Sequence, residues 1–492
     1  QSQDLTLNFY LDDFASFDDS GITGHPNSYL LEPGTYRIAA GADVRSAETI
    51  FYFDLPELVV TQVLTEYAAV YPGTAFNRIV NRNGNFSLEQ VPVAQKDLKS
   101  EILTRIPNNH TYTTDQLYTF QDVLEGNCDA AQFVSQFTDE ELDEISHGAG
   151  MMNYSPGALG NAGAFGGVTK SLQGRGLPAV ITTDGPSGIR VKSTCSLLPC
   201  GTALASTFDP DAVLKLYRMV GKEMLIKGSD MLLAPGMNIQ KNTFGGRNFE
   251  YSSEDPLLTG YLMSAYVNGV QSTGIGAEIK HFAVNNQETS RVIYSANVTE
   301  RALREIYLKG FGIAVRDSSP WVVMSSYNRI NRNHNATERE LLVNILRDEF
   351  GFVGMVTSDW GGVTGSIDSK IKAMNDLNMP GNADDPAILM AAVNSGAVPM
   401  EALDTCCRNI LSVVAKTRTA MEAAQKGYAD IEARKSRNES EIQEKNKSVN
   451  IRLLSKKSSH HCSFAMTTNN NSIFIYKRKF FSIIYYRLSI LN

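Results

Sequence analysis

The chain has 492 residues, 42% hydrophobic and 20% charged, with a net charge of −8. That length holds two or three domains, or one large barrel with smaller pieces, and the composition is that of an ordinary globular protein. The acidic balance argues against a nucleic-acid-binding surface.

Residues 1–90 read as β. The runs 35–39 and 49–53 have strand composition, with turn signals at Pro33–Gly34 and Gly41–Ala42–Asp43. Residues 59–70 are predicted as a further strand, and the whole suffices for most of a small sandwich. The polar stretch 91–124 reads as a linker.

Between residues 125 and 430 the pattern changes. Thr138 and Glu141 form a capping-box pattern that predicts a helix with Leu142 and Ile145 on one face. Residues 179–183 read as a strand ending in Asp184–Gly185–Pro186. Asp209–Pro210 opens a helix in which Val213, Leu216, Tyr217, Val220 and Met224 keep helical spacing. Strands are predicted at 231–234, 278–282 and 322–327, and helices at 257–270, 299–315 and 337–350, the last capped by Thr337 and Glu340. The apolar run 352–356 reads as a buried parallel strand that ends in Ser358–Asp359–Trp360 and two glycines. A final β segment at 373–377 precedes Met379–Pro380–Gly381. This alternation predicts a (β/α)8 TIM-type barrel. A doubly wound sheet would want a Gly-rich phosphate loop after its first strand, and none stands there.

Past residue 431 the chain changes again. From Arg434 onward it has 12 Lys and Arg against 3 Asp and Glu, reversing the sign of the whole. Residues 431–492 are therefore expected to be a disordered or non-native tail.

Six cysteines stand without metal-ligand spacing, and no metal or cofactor is expected. Cys406 and Cys407 adjoin, which suits a helix and a reducing, cytoplasmic setting. No signal peptide or membrane-spanning run is visible, and the start at Gln1 looks like a cut into a longer polypeptide. Nothing in the sequence speaks to oligomeric state.

On a barrel, the strand ends would gather Asp184, Arg247 with Glu250, Lys280 and His281, Asn285 and Asn286 with Glu288, Tyr327, and Asp359 with Trp360 on one face. Sugar hydroxyls both donate and accept, so a sugar pocket needs carboxylates, cations and amides together. The indole of Trp360 would give a C–H face its platform. Singly, each residue has an ordinary explanation. Lys280 could be a salt-bridging lysine, Asp184 turn chemistry, and Arg247 with Glu250 a surface pair. Together they point to a retaining glycosidase with Asp359 as nucleophile, which also needs a second carboxyl about 5–5.5 Å away as acid/base.

The motifs Asp184-Gly-Pro-Ser-Gly-Ile-Arg190, Gly246-Arg-Asn-Phe-Glu250, Lys280-His-Phe-Ala-Val-Asn-Asn286 with Glu288, Met324 to Asn328, and Ser358-Asp359-Trp360 together resemble glycoside hydrolase family 3, above all its β-glucosidases. The resemblance covers roughly residues 125–425. It implies Asp359 as nucleophile, with Asp184, Arg247, Lys280, His281 and Tyr327 holding the glycone of a small carbohydrate. Residues 1–90 look like part of the fibronectin type III-like domain of such enzymes, in the subgroup with reversed domain order. In most of the family the acid/base glutamate comes from a second domain, which this arrangement would put before Gln1. The stretch after Lys280-His281 departs from the motif of the β-N-acetylhexosaminidase branch, so its His-Asp acid/base pair is not expected. Glu250 and Glu288 are expected to partner the cations. The alternatives are a carbohydrate-binding barrel lacking its acid and, more weakly, an α/β enzyme of another class such as a phosphate-binding barrel.

Overall fold

The structure, a computed structural model, describes residues 3–10, 14–41, 45–67, 70, 73–82, 84–93, 117–361, 365–425, 461–468, 472–476 and 484–487. The N-terminal strands are β1 (Gln3–Tyr10), β2 (Ser16–Asp18), β3 (Ser28–Leu31), β4 (Gly34–Ala40), β5 (Glu48–Leu55), β6 (Val59–Val63), β7 (Asn77–Arg82) and β8 (Asn85–Gln90). They form small antiparallel sheets, in which β4 pairs with β5, β3 lies between β2 and β6, and β7 pairs with β8. The strand expected over 59–70 ends at Val63. Beyond it, Val70 makes only a single bridge, to Val93.

Most of the expected linker, residues 94–116, lies outside the described residues. Its end is not linker. Thr119 and Asp122 cap one another reciprocally to open a helix, Phe120–Glu125, that buries Phe120 in the core.

A six-stranded sheet follows: β9 (Gly163–Gly166), β10 (Ala179–Asp184), β11 (Met231–Leu233), β12 (Gly276–Phe282), β14 (Val322–Ser325) and β17 (Met355–Ser358), neighbours in that order. The short strands β13 (Ser295–Ala296), β15 (Arg329–Ile330) and β16 (Asn333–His334) make a separate sheet. From β10 to β17 every pairing is parallel. Helices Pro210–Lys227 and Pro256–Gln271 link successive strands, each opened by an Asp-Pro pair whose Asp side chain accepts first-turn N–H groups. The sheet curls. Single bridges from Thr357 to Leu377, Asn378 to His147 and Ala149 to Ala164 lead from β17 back to β9.

Two departures from the expected alternation lie on that return path. First, β9 runs antiparallel to β10. The chain from Gly150 to Gly163 forms no crossover helix and turns back through glycines, so that Ala149 also meets Ala164 antiparallel. At Gly163, φ is +131° and a Cβ would stand 2.6 Å from the Gly150 carbonyl oxygen. Second, residues 373–377 are not a strand. The helix Ile367–Lys372 ends there, Met374 has φ 62°, and the Asp376 carboxylate takes the Val356 N–H at 2.7 Å in place of a ladder partner.

Two expected helices also differ. Residues 299–315 divide into Glu300–Ala302, a wide turn Leu303–Tyr307 in which Leu308 N–H reaches the Leu303 carbonyl at 2.8 Å, and Lys309–Ser318. The capping box at Thr337 does not form, because its hydroxyl donates to the His334 carbonyl at 3.2 Å. A helix of the same wide type, Glu340–Glu349, follows. The Thr138 capping box does form, opening Asp139–Ile145. Cys406 and Cys407 sit buried in the long helix Met400–Gln425, against the helices of residues 120–145.

The N-terminal strands meet the elements around the curled sheet at Arg304, which is 5% exposed. It donates to Glu300 at 2.8 Å, to Glu349 at 2.6 Å and to the Thr65 carbonyl at 3.3 Å, and its guanidinium lies 4.9 Å from the Phe17 ring centroid. Glu300 also takes the Tyr67 N–H at 3.0 Å, and Glu305 the Phe17 N–H at 2.7 Å. Arg304→Met keeps the bulk but leaves the buried Glu300 and the half-buried Glu349 without their cation, so it should destabilise the protein by about 3–5 kcal/mol. Calorimetric unfolding of the variant beside the parent checks this.

Within the expected tail, β18 (His461–Thr468) pairs with β1, β19 (Ser472–Tyr476) with β4, and β20 (Ile484–Arg487) with β19. Ile473, Phe474, Ile475 and Tyr476 are all strand-favouring residues, and β4 otherwise offers an open edge. Residues 426–460 of the expected barrel end and tail lie outside the described residues. Among the described residues no helix is long and apolar enough to cross a membrane.

Candidate active site

Of the eleven residues the sequence places on one face, eight line a cavity of about 510 Å³ at the C-terminal ends of the parallel strands: Asp184, Arg247, Glu250, Lys280, His281, Tyr327, Asp359 and Trp360; Asn285, Asn286 and Glu288 are not among its lining residues. Asp184 ends β10. Gly185 follows with φ +131°, and a Cβ there would collide with the Gly188 carbonyl at 2.0 Å, so the turn admits only glycine. That turn leaves the Asp184 carboxylate facing two cations, Lys280 Nζ at 2.9 Å and Arg190 Nη1 at 2.7 Å. Burial alone would raise the Asp184 carboxyl, but the charge and hydrogen bond of Lys280 outweigh it and hold the group below the usual carboxylate range. Lys280 is 3% exposed and spends its charge on this pair.

Arg247 donates to Glu250 three residues on, and Glu288 receives Arg291 at 3.0 Å and Asn285 at 3.1 Å. Burial works against the Arg247 charge, but Tyr251, Glu250 and Asp359 around it raise its pKa, so it stays a cation. The Arg291 guanidinium covers the Tyr327 ring at 4.7 Å. Tyr327 donates to the Trp360 carbonyl, and burial together with the neighbouring Asp359 charge keeps its hydroxyl protonated. Trp360 is fixed by its indole N–H, which donates to the Ala162 carbonyl at 2.6 Å.

His281 is fully enclosed. Asn238 uses its amide nitrogen on the His281 carbonyl at 2.8 Å and its oxygen on the His281 N–H at 3.0 Å, which settles the orientation of that amide. The same oxygen lies 3.2 Å from Nδ1, and the Tyr251 hydroxyl stands at the same distance from that nitrogen. Burial first, then the charges of Arg247, Lys280 and Arg291, push the imidazole far below its usual value, and it is neutral. Nε2 stands 3.7 Å from Asp359 Oδ2, and with a neutral ring that is not an ion pair.

Asp359 follows the last residue of β17. Its Oδ1 accepts the Trp360 N–H at 2.7 Å, whereas the buried Oδ2 has no hydrogen-bond partner. Burial raises the carboxyl from the ordinary 3.8, with Lys280, Arg247 and Arg291 pulling the other way. The arrangement is a carboxylate with one uncommitted oxygen, in a cavity lined by cations, an imidazole, a phenol and an indole. The cavity's other two carboxylates, Asp184 and Glu250, are both committed to cations. Among the described residues no group of His, Cys, Asp and Glu could hold a metal ion.

Asn238, Tyr251, Arg291 and Glu278 stand outside the residues that the sequence pattern marks for the site. Tyr251 contacts His281 Nδ1 at 3.2 Å and takes the Asn285 amide at 3.1 Å. Arg291 carries a signal that was available, since it stands three residues after Glu288 in the same loop.

The family description "Glycosyl hydrolase family 3 N terminal domain" matches residues 166–413. A β-glucosidase of Ruminococcus albus is 38% identical over 432 residues, covering 85% of this chain but 45% of that enzyme. Among solved structures, a β-glucosidase from Paenibacillus barengoltzii superposes with a TM-score of 0.77 at 38% identity, covering 82% of this chain and 46% of its own. β-Glucosidase 3B from Thermotoga neapolitana, solved in complex with α-D-glucose, gives a TM-score of 0.55 at 40% identity over 58% of this chain and 42% of its own. The chain thus spans about half the length of the relatives it matches, and it belongs to glycosyl hydrolase family 3.

Proposed function

We propose that this chain is the barrel part of a retaining β-glycosidase of the β-glucosidase type, acting on terminal β-D-glucosyl residues of oligosaccharides or glucosides. The uncommitted, buried Asp359 Oδ2 carries the reading, because a nucleophile needs one oxygen free to attack. Asp359 attacks the anomeric carbon, the glycosidic bond breaks, and the aglycone oxygen leaves with a proton from an acid. Water then displaces Asp359 from the sugar. Asp184, Arg247, Lys280, neutral His281 and Tyr327 hold the glycone hydroxyls, with Trp360 under the ring. The curled sheet, completed by 377–378 and 147–149, is read as an eight-stranded barrel with one reversed strand. Residues 1–90 are read as a partial fibronectin type III-like module, a reading that rests on their small antiparallel sheets.

A mechanism-based 2-fluoro β-glucoside tests this. The wild-type chain should be labelled on Asp359, found by peptide mass mapping, and a label elsewhere overturns the assignment. Asp184→Asn removes the counter-charge of a buried lysine. It should lower kcat/KM on an aryl glucoside by about 10- to 100-fold, the scale of ~1–3 kcal/mol for a buried group left unpaired. An unchanged kcat/KM would put Asp184 outside the glycone site.

The second reading is a carbohydrate-binding barrel without its own acid. It is favoured by one observation, that both other carboxylates of the cavity are engaged by cations. Glucose binding without any labelling would select it.

A further inference from the structure

Below the cavity lies a carboxyl that none of the roles above employs. Glu278 sits in the middle of β12, 1% exposed. Side chains two apart on a strand share a face, so Glu278 lies directly under Lys280, and Thr357 directly under Asp359. Thr357 donates its hydroxyl to Glu278 Oε1. In the sheet, β14 separates the two strands, so this bond crosses the barrel interior from one strand to the next but one. That is how a layer of inward side chains is built from alternate strands.

We propose that Glu278 is a positioning residue for Lys280 and Asp359 together, its carboxyl joining from below the strand that carries the one to the strand that carries the other. The inference rests on the glycosidase reading. Three charged groups bear on Glu278 from three strand ends: Lys280 on its own strand, Asp359 after β17 and Asp184 on β10. Burial raises its carboxyl to about 8, with the Thr357 bond and Lys280 pulling it back. At neutral pH Glu278 is therefore the uncharged acid, and Lys280 remains committed to Asp184. Ionisation at higher pH would put a second negative charge beneath Asp359 and compete with Asp184 for Lys280. The pocket would lose its alignment as pH rises through that value.

The full chain is labelled with a 2-fluoro β-glucosyl fluoride, and the labelling rate is followed against pH for wild type, Glu278→Gln and Glu278→Ala. Wild type should slow as pH rises through about 8. Glu278→Gln keeps an oxygen for Thr357 and cannot ionise, so it should match wild type at neutral pH and lose the alkaline decline. Glu278→Ala leaves the Thr357 hydroxyl unpaired and should be slower by about tenfold or more at every pH. A labelled wild type with the same rates and pH profile in both variants overturns the inference alone. So does a Glu278→Gln variant that keeps the alkaline decline. A wild type that is never labelled overturns the glycosidase reading and takes this one with it.

Discussion

Asp359→Asn is expected to lower kcat on 2,4-dinitrophenyl β-glucoside by about 10⁴-fold or more, the scale seen when the nucleophile of a covalent mechanism is removed. The amide occupies the same space and can keep the Trp360 N–H bond, so glucose binding should persist while glycosyl transfer stops. Stability should not fall. Burial raises the Asp359 carboxyl, so the fold favours its protonated form and ionisation weakens the folded state as pH climbs above the unfolded value. At neutral pH the wild type carries that cost and the asparagine variant does not. A Tm at or above wild type, together with lost labelling, separates a missing nucleophile from a damaged fold. The same raised carboxyl fixes the sign of the acid limb: activity is present above the folded pKa and disappears as pH falls through it. Retention of near-normal kcat in Asp359→Asn would remove the nucleophile from its role.

What the sequence revealed and what it hid follow one division. Local signals were legible. The Thr138 box, the Asp209–Pro210 start and the apolar run ending at Asp359 each depend on residues within a few positions. The polar strand ends were legible as a set, because a parallel sheet puts successive strand ends on one face. Features that depend on distant partners stayed hidden. The reversal of β9 turns on a close approach between Gly163 and the Gly150 carbonyl, and the loss of the 373–377 strand on the Asp376 side chain taking a backbone N–H. Asn238 fixes His281 across 43 residues, with nothing near Asn238 to announce it. In the sequence Glu278 is one more residue of a buried strand, because its partner Thr357 is 79 positions away.

Cellobiose should be hydrolysed very poorly by this chain alone, and the ratio of kcat/KM for a 2,4-dinitrophenyl glucoside to that for cellobiose should be far larger than in a full-length relative. A sugar leaving group has a high pKa and must be protonated as its bond breaks, a contribution of about 10²–10⁴ in rate. Of the carboxylates lining the cavity, Asp184 faces Lys280 and Arg190, and Glu250 is bonded to Arg247. Neither is free to give a proton to an aglycone. Glu278 lies beneath the site, buried on every side, where no leaving group reaches. Dinitrophenolate leaves without a proton, so the first step survives and the glycosyl-enzyme accumulates, because no base then activates water. Azide needs no base. Adding it should speed turnover of the activated substrate and yield β-glucosyl azide, the configuration produced by two successive inversions at the anomeric carbon. Rapid cellobiose hydrolysis with a bell-shaped pH profile and no response to azide would place the acid within these 492 residues, and Glu250 and Glu288 would be the first two to replace.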